Sequence, residues 1–443
     1  MQKFLKLLIS LFLTLLLFGA NAMYEEGDKN WPAWRGPDMN GVAEKANPPV
    51  EWSEEKNIRW KIPLNGAGNS SPIVWGDFVY VCLTMGEAKQ PEPEEAAQPG
   101  QRRRRRGVTP SEQEFAIMAI NRKDGSVAWK KVLRKATPHE GTHPDGTWSA
   151  NSPVTDGKHI FAYFGSNGLY CLDMKGNLVW EKDLGDMRTR NGFGEGSSPA
   201  LYGDKLVINW DHEDESFIVC LNKNTGKEIW RKQRDEVTSW ATPVVIEVNG
   251  KPQVIVNATN RVRGYDIESG DVIWESGGMT TNTIPTPVYG DGVLYVASGF
   301  RGNALHAIDL AKAKGDITGS ETVLWQHDQD TPYVPSPLLY DNAIYFFKRN
   351  NNILSCFDAK TGEPLYPTQR IESMRGVYAS PVGASGRVYL PGRNGVTVVL
   401  KHGKAFEVLA ENQLQDGFDA SPAVVGNEIY LRGRENLYCI AEK

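Results

Sequence analysis

The chain has 443 residues, 40% hydrophobic and 23% charged, with a formal net charge of −5. That acidic balance argues against nucleic acid or an anionic membrane surface as the main partner. Past the N-terminus no stretch of 18 consecutive apolar residues occurs, so no membrane span is expected.

Taken in order, Lys3 and Lys6 precede an apolar run from Leu7 to Phe18 that ends in Ala20-Asn21-Ala22. A basic start, a short apolar run and an A-x-A site describe a secretory signal at 1–22, cleaved after Ala22. No cysteine follows the cut, so no lipid anchor is expected. The protein should be secreted or periplasmic, soluble and monomeric. Residues 23–56 form a leader containing "NWPAWRGPDMNG" (30–41).

From residue 57 the chain reads as a tandem array. Eight Ser/Thr-Pro pairs punctuate it, with prolines at 72, 153, 199, 243, 287, 337, 381 and 422. After the first, stretched gap the spacing is 41–50 residues, which suits four short strands per unit. Each unit repeats one grammar. An apolar run follows the proline and ends in a Gly/Asp turn such as "YGDKLVI" (202–208). A third run ends in an acidic turn such as "CFDAKTG" (356–362), and a fourth carries an aromatic. The aromatics are Trp129, Trp180, Trp230, Trp274 and Trp325, continuing to Tyr366 and Phe406.

The last unit stops after three strands, at "LYCIAEK", and an orphan strand, "NIRWKIPL" (57–64), lies before the first Ser-Pro. The fold expected is therefore all-β: an eight-bladed β-propeller of four-stranded antiparallel blades over 57–443, closed by the N-terminal strand completing the last blade. Residues 86–114 are low-complexity, an acidic Pro-rich half followed by Arg102–Arg106, and are expected to be a disordered insertion in blade 1.

Cys171, Cys220, Cys356 and Cys439 share one repeat column with Ala119, Gly264, Ala307 and Val399. A column of small residues suggests the place where a repeat tryptophan packs. Equivalent positions in different blades are too far apart for a disulfide, so these four and Cys82 should be free, buried thiols.

In an up-and-down blade the second-to-third loops and the blade-to-blade connections share one face, and the unusual segments all fall there. The residues preceding each Ser-Pro should crowd the central funnel: Trp148, Asn151, Glu195, Trp240, Tyr333, Tyr378 and Asp419. Basic loops, among them "GRNG" with Arg393, ring the same side. These acids, amides and aromatic plates suit a small molecule, a glycan or an envelope protein. Metal candidates are His139 and His143 in "TPHEGTHPDG", with Asp211 and Glu213 in "WDHEDES". The first stretch spells the H-E-x-x-H of zinc peptidases, but Pro138, Gly141 and Pro144 deny it the helix that motif needs.

The "DAKTG"-type turns, the "EIW" and "VIW" fourth strands and the Ser-Pro starts resemble the bacterial PQQ-like β-propeller repeat family across essentially the whole chain after residue 22, an architecture akin to WD40 and YVTN propellers. The leader is similar to that of secreted members opening on W-P-x-W-R-G-P. The resemblance implies either a binding or scaffolding propeller acting through its funnel face, or an oxidoreductase dependent on pyrroloquinoline quinone (PQQ) and Ca²⁺. In the second case Glu195, Asn151 and Asp419 would be the metal contacts or proton acceptor. The residues themselves leave a third reading open, a carbohydrate-binding or carbohydrate-active propeller with the sugar against Trp148 and Trp240. The adjacent cysteine pair of alcohol-type quinoproteins does not occur here.

Overall fold

In a computed structural model, which describes residues 29–86 and 108–442, the chain forms eight four-stranded antiparallel blades and almost no helix. The expected signal peptide lies outside the described residues, as do residues 87–107 of the expected insertion. Blade 1 takes up its third strand at Gln113–Asn121, and Val108 already pairs with Thr142, so the end of that insertion belongs to ordered structure.

The ring closes as a repeat with one displaced strand must. Ile58–Pro63 pairs antiparallel with Asn436–Ala441, supplying blade 8 with its outer strand from the opposite end of the chain. Two sheets gain a further two-residue strand: Gly315–Asp316 lies parallel to the outer strand of blade 4, and Val42–Ala43 parallel to the inner strand of blade 7.

The aromatic column explains how blades adhere. Trp60, Trp129, Trp180, Trp230 and Trp325 stand directly across the sheet from Cys439, Ala119, Cys171, Cys220 and Ala307, the small-residue column. Each indole lies on the acidic turn of the next blade. That turn ends in a glycine of positive φ, such as Gly226 at +68°, where an added Cβ would sit 2.8 Å from the Trp180 ring. Four of these indoles also donate to a backbone carbonyl of the turn, for example Trp180 Nε1–H to Lys223 O at 2.9 Å.

Trp274 departs from the pattern because blade 5 replaces the short turn with a longer excursion. Its N–H turns inward to Gln253, and Ile317 from that excursion packs beside it. The column also ends earlier than the sequence suggests. Ala410, not an aromatic, faces Val399 in blade 7, and Phe406 lies ahead of its strand with its ring 6.0 Å from Tyr366. All five cysteines are free and buried.

The Ser/Thr-Pro starts have one structural role. Ser71 N–H donates to Ser152 Oγ, Ser152 to Ser198, Ser198 to Thr242, Thr242 to Thr286, Thr286 to Ser336, Ser336 to Ser380, Ser380 to Ser421, and Ser421 back to Ser71, each at 2.9–3.0 Å. This closed ring of eight hydroxyls satisfies the backbone N–H of every blade start around the axis, where no sheet can reach it. Proline follows because its missing N–H needs no partner there.

Candidate functional site

The leader crosses the axis of the propeller. Trp31 exchanges both backbone hydrogen bonds with Val74 of blade 1, and Pro32 O accepts from Thr155 N–H of blade 2. Three residues on, the Arg35 guanidinium donates to Pro381 O of blade 7 and Pro337 O of blade 6, at 2.9 and 2.8 Å, and to Asn40 O at 2.7 Å. Four residues span at most about 14 Å, so contacts with opposite sides of the ring require a path through its centre. Arg35 is buried and bonded only to carbonyls, and burial pushes its pKa down to about 9. Gly41 is glycine for a local reason: at φ +82° a Cβ would meet the Arg35 guanidinium at 2.6 Å.

Above the leader lies a cavity of about 500 Å³. Its walls come from the blade-to-blade connections and the second-to-third loops, as the topology requires. Its floor includes Trp34 of the leader, whose indole N–H donates to Ser421 Oγ of the hydroxyl ring at 3.2 Å. Glu195, Trp240, Tyr333, Tyr378 and Asp419 line it, as expected. Arg393 stands behind the wall with its guanidinium 4.0 Å from the Tyr378 ring. That group donates to Asp419 Oδ1 at 2.6 Å and Asp145 Oδ1 at 3.0 Å, while Arg434 reaches Asp419 Oδ2 at 3.0 Å. Burial pushes the Asp145 carboxyl up, but the hydrogen bond and charge of Arg393 outweigh it and hold the group below the usual range. Burial also carries the Tyr378 phenol up to about 12.

Glu195 occupies the wall between this cavity and a small side chamber. Its carboxylate accepts from Ser166 N–H at 2.7 Å and Ser166 Oγ–H at 2.5 Å. It lies directly over Gly165, where an added Cβ would come within 1.3 Å of Oε2. Burial outweighs these hydrogen bonds and pushes its pKa up to about 7.

The structure separates other candidates. Trp148 and Asn151 line the side chamber rather than the main cavity, so Trp148 and Trp240 do not face one another across it. Trp148 donates to Glu140 O, and Asn151 to Ser197 O. His143 lines the main cavity beside Phe193, whereas His139 faces the side chamber with Nε2 2.7 Å from Met187 O. Asp211 is buried in a two-pronged pair with Arg234 at 2.6 and 3.0 Å, and Glu213 accepts from Thr238. Among the described residues no group of three His, Cys, Asp or Glu is placed to hold a metal ion. The sequence reading missed Trp34, Asp145, Phe193 and Phe300 as cavity residues. The one available signal was the dense W-P-A-W-R-G-P of the leader, which is too apolar and too rigid for a tether.

Residues 42–191, 113–365 and 258–443 match the family model described as outer membrane protein assembly factor BamB. The protein of that name from Francisella salina is 29% identical over 200 residues, covering 40% of this chain and 35% of its own length. A tetrathionate hydrolase from Acidithiobacillus ferrooxidans is 23% identical over 297 residues, covering 62% of this chain and 53% of its own. The chain thus spans from about a third to about a half of these curated relatives. Among solved structures, BamB from Moraxella catarrhalis superposes with a TM-score of 0.58 at 16% identity, covering 86% of this chain and 99% of that one. A europium-containing methanol dehydrogenase gives 0.62 at 11% identity, covering 92% and 90%. At such identities the likeness concerns the fold alone. The three overlapping family matches run unbroken from Val42 to Lys443, and the chain therefore belongs to the family described as outer membrane protein assembly factor BamB, built from PQQ-like propeller repeats.

Proposed function

We propose that this protein is an exported, periplasmic binding or scaffolding module that captures its ligand in the funnel. The observation that carries the reading is a preformed cavity, closed below by Trp34, whose charged wall is already locked by the Asp419–Arg393–Asp145 network. A ligand entering such a site orders few side chains, which lowers the cost of binding. The signal-like N-terminal sequence and the family's assembly-factor description support a role in the cell envelope.

Pyrroloquinoline quinone and Ca²⁺, which the resemblance to PQQ-like repeats implies, do not fit these residues. The quinone is a tricarboxylate, and the cavity lining presents Asp145, Glu195 and Asp419 but no lysine or arginine. Arg393, whose guanidinium packs against Tyr378 of the lining, is spent on two of those acids. For Ca²⁺, Asp419 is committed to two arginines and Asp145 to Arg393 and Tyr378, so the several oxygens a hard cation requires are not gathered.

Panning a random peptide library and a glycan array against the protein tests the reading. Ligands should lose at least tenfold in affinity with Trp240→Ala or Tyr333→Ala, and keep it with Val179→Ser on the outer edge of blade 2. Ligands indifferent to both funnel substitutions would place binding elsewhere.

A further inference from the structure

The funnel's chemistry narrows what it takes. We propose that it recognises a guanidinium or ammonium group presented by an extended polypeptide segment of a partner, seated between the aromatic faces and Glu195. This rests on the funnel being the binding site and names its ligand class.

Three features support it. The lining presents three carboxylates and no lysine or arginine, and of the three only Glu195 is not paired with an arginine behind the wall. It is also aromatic on several sides: Trp34 below, Trp240 and Tyr378 in the wall, and Phe300 stacked on Tyr333 with centroids 4.9 Å apart. A cation over such rings gains from their quadrupoles, most strongly where water is excluded. The third feature is an example within the same wall. Arg393 lies over the Tyr378 ring and is clamped between Asp419 and Asp145, which is the arrangement a ligand guanidinium would need.

Glu195 supplies the one carboxylate of the lining that no arginine already holds. Asp419 is held by two arginines, and Asp145 by Arg393 and Tyr378, whereas the hydrogen bonds to Glu195 come from the neutral Ser166. Its raised pKa is the mark of a buried carboxyl with too little positive charge beside it, and a bound cation would supply that charge. An extended segment, rather than a free amino acid, suits the open mouth of the funnel. The cavity, about 500 Å³, is larger than one side chain fills, and peptides bound in this way gain specificity from one pocketed side chain.

The test uses the whole protein and two probes, acetyl-Gly-Ser-Arg-Ser-Gly-amide and the same peptide with citrulline for arginine, titrated at low ionic strength. Citrulline keeps the shape and removes the charge. The arginine peptide should bind at least tenfold more tightly. Glu195→Gln should erase that preference while leaving citrulline binding unchanged, and Trp240→Ala should weaken both. Equal affinities that still fall with Trp240→Ala would overturn the cation inference and leave the funnel reading standing. An arginine preference that survives both substitutions would place the site elsewhere and sink both. Absence of binding by either peptide would overturn the inference, with the library experiment then deciding the funnel reading. The chain's own Arg102–Arg106 offers the same chemistry, so the titration is repeated with those five changed to serine. Unchanged affinity assigns the site to a partner's segment, and a marked gain would contradict that by showing the tract to be its occupant.

Discussion

Trp34 and Ser421 are 387 residues apart in sequence, and the indole N–H of the first donates to the hydroxyl of the second at 3.2 Å. The contact joins the leader to the ring of blade-start hydroxyls and makes the leader part of the site rather than an appendage. Trp34 is held there by its neighbour Arg35, through three carbonyls from the leader and two distant blades.

Arg35→Ala should therefore free the leader. It strands the carbonyls of Pro337 and Pro381 away from water and removes the side chain that ties the leader to blades 6 and 7. Each unmet buried group costs about 1–3 kcal/mol, and a loss of about 3 kcal/mol in urea unfolding is expected. Limited proteolysis of the native protein should then cut between residues 29 and 45, where the parent resists. Arg35→Lys, which cannot fork to two carbonyls, should fall between the two.

The hydroxyl ring gives a sharper contrast. Ser198 Oγ accepts from Ser152 N–H at 2.9 Å in a buried setting. Ser198→Ala leaves that N–H unpaired and should cost about 1–3 kcal/mol. Ser198→Thr should be nearly neutral, because Thr242 and Thr286 fill the same place in blades 4 and 5. Denaturation midpoints of the two variants decide the point; equal losses would show that volume rather than the hydroxyl is at stake.

Glu195 makes stability depend on pH in a defined direction. Its folded-state pKa, about 7, lies above the ordinary 4.5, so the folded protein keeps a proton that the unfolded chain has released. The stabilisation is complete below about pH 4.5 and is lost as pH rises through 7, by up to about 3 kcal/mol. Glu195→Gln cannot titrate. The stability of the parent relative to this variant should thus fall between pH 4.5 and 7.5 in urea unfolding. A constant difference across that range would mean that the carboxyl ionises normally.

The five thiols should be silent in the native state. Burial pushes Cys82, Cys171, Cys220 and Cys439 up to about 12 and Cys356 to about 11. Only the thiolate reacts readily. Ellman's reagent should count none in the folded protein and five in denaturant, and a lower denatured count would reveal a disulfide.

Much of this fold was legible because the repeat writes each feature eight times. Trp180 facing Cys171, the glycine turns and the orphan strand with Trp60 are local or periodic, and comparing units exposes them. The funnel candidates Glu195, Trp240, Tyr333, Tyr378 and Asp419 followed from topology, since each connection runs from the outer strand of one blade to the inner strand of the next and must arrive at the axis. What escaped was non-repeating. Nothing in the letters of the leader says that Arg35 reaches blades 6 and 7, because that contact depends on the ring being closed. Phe406 misled for the opposite reason: it sits at repeat-like spacing, while the bulge in blade 7 sets Ala410 against Val399.

The most direct test is a crystal structure of the protein, leader included, grown with the arginine pentapeptide. The guanidinium should lie over an aromatic face of the funnel, within about 6 Å of the Trp240 or Trp34 ring centroid, and against the Glu195 carboxylate. Peptide density on an outer blade edge or on the short-turn face, with the funnel holding only solvent, would contradict it.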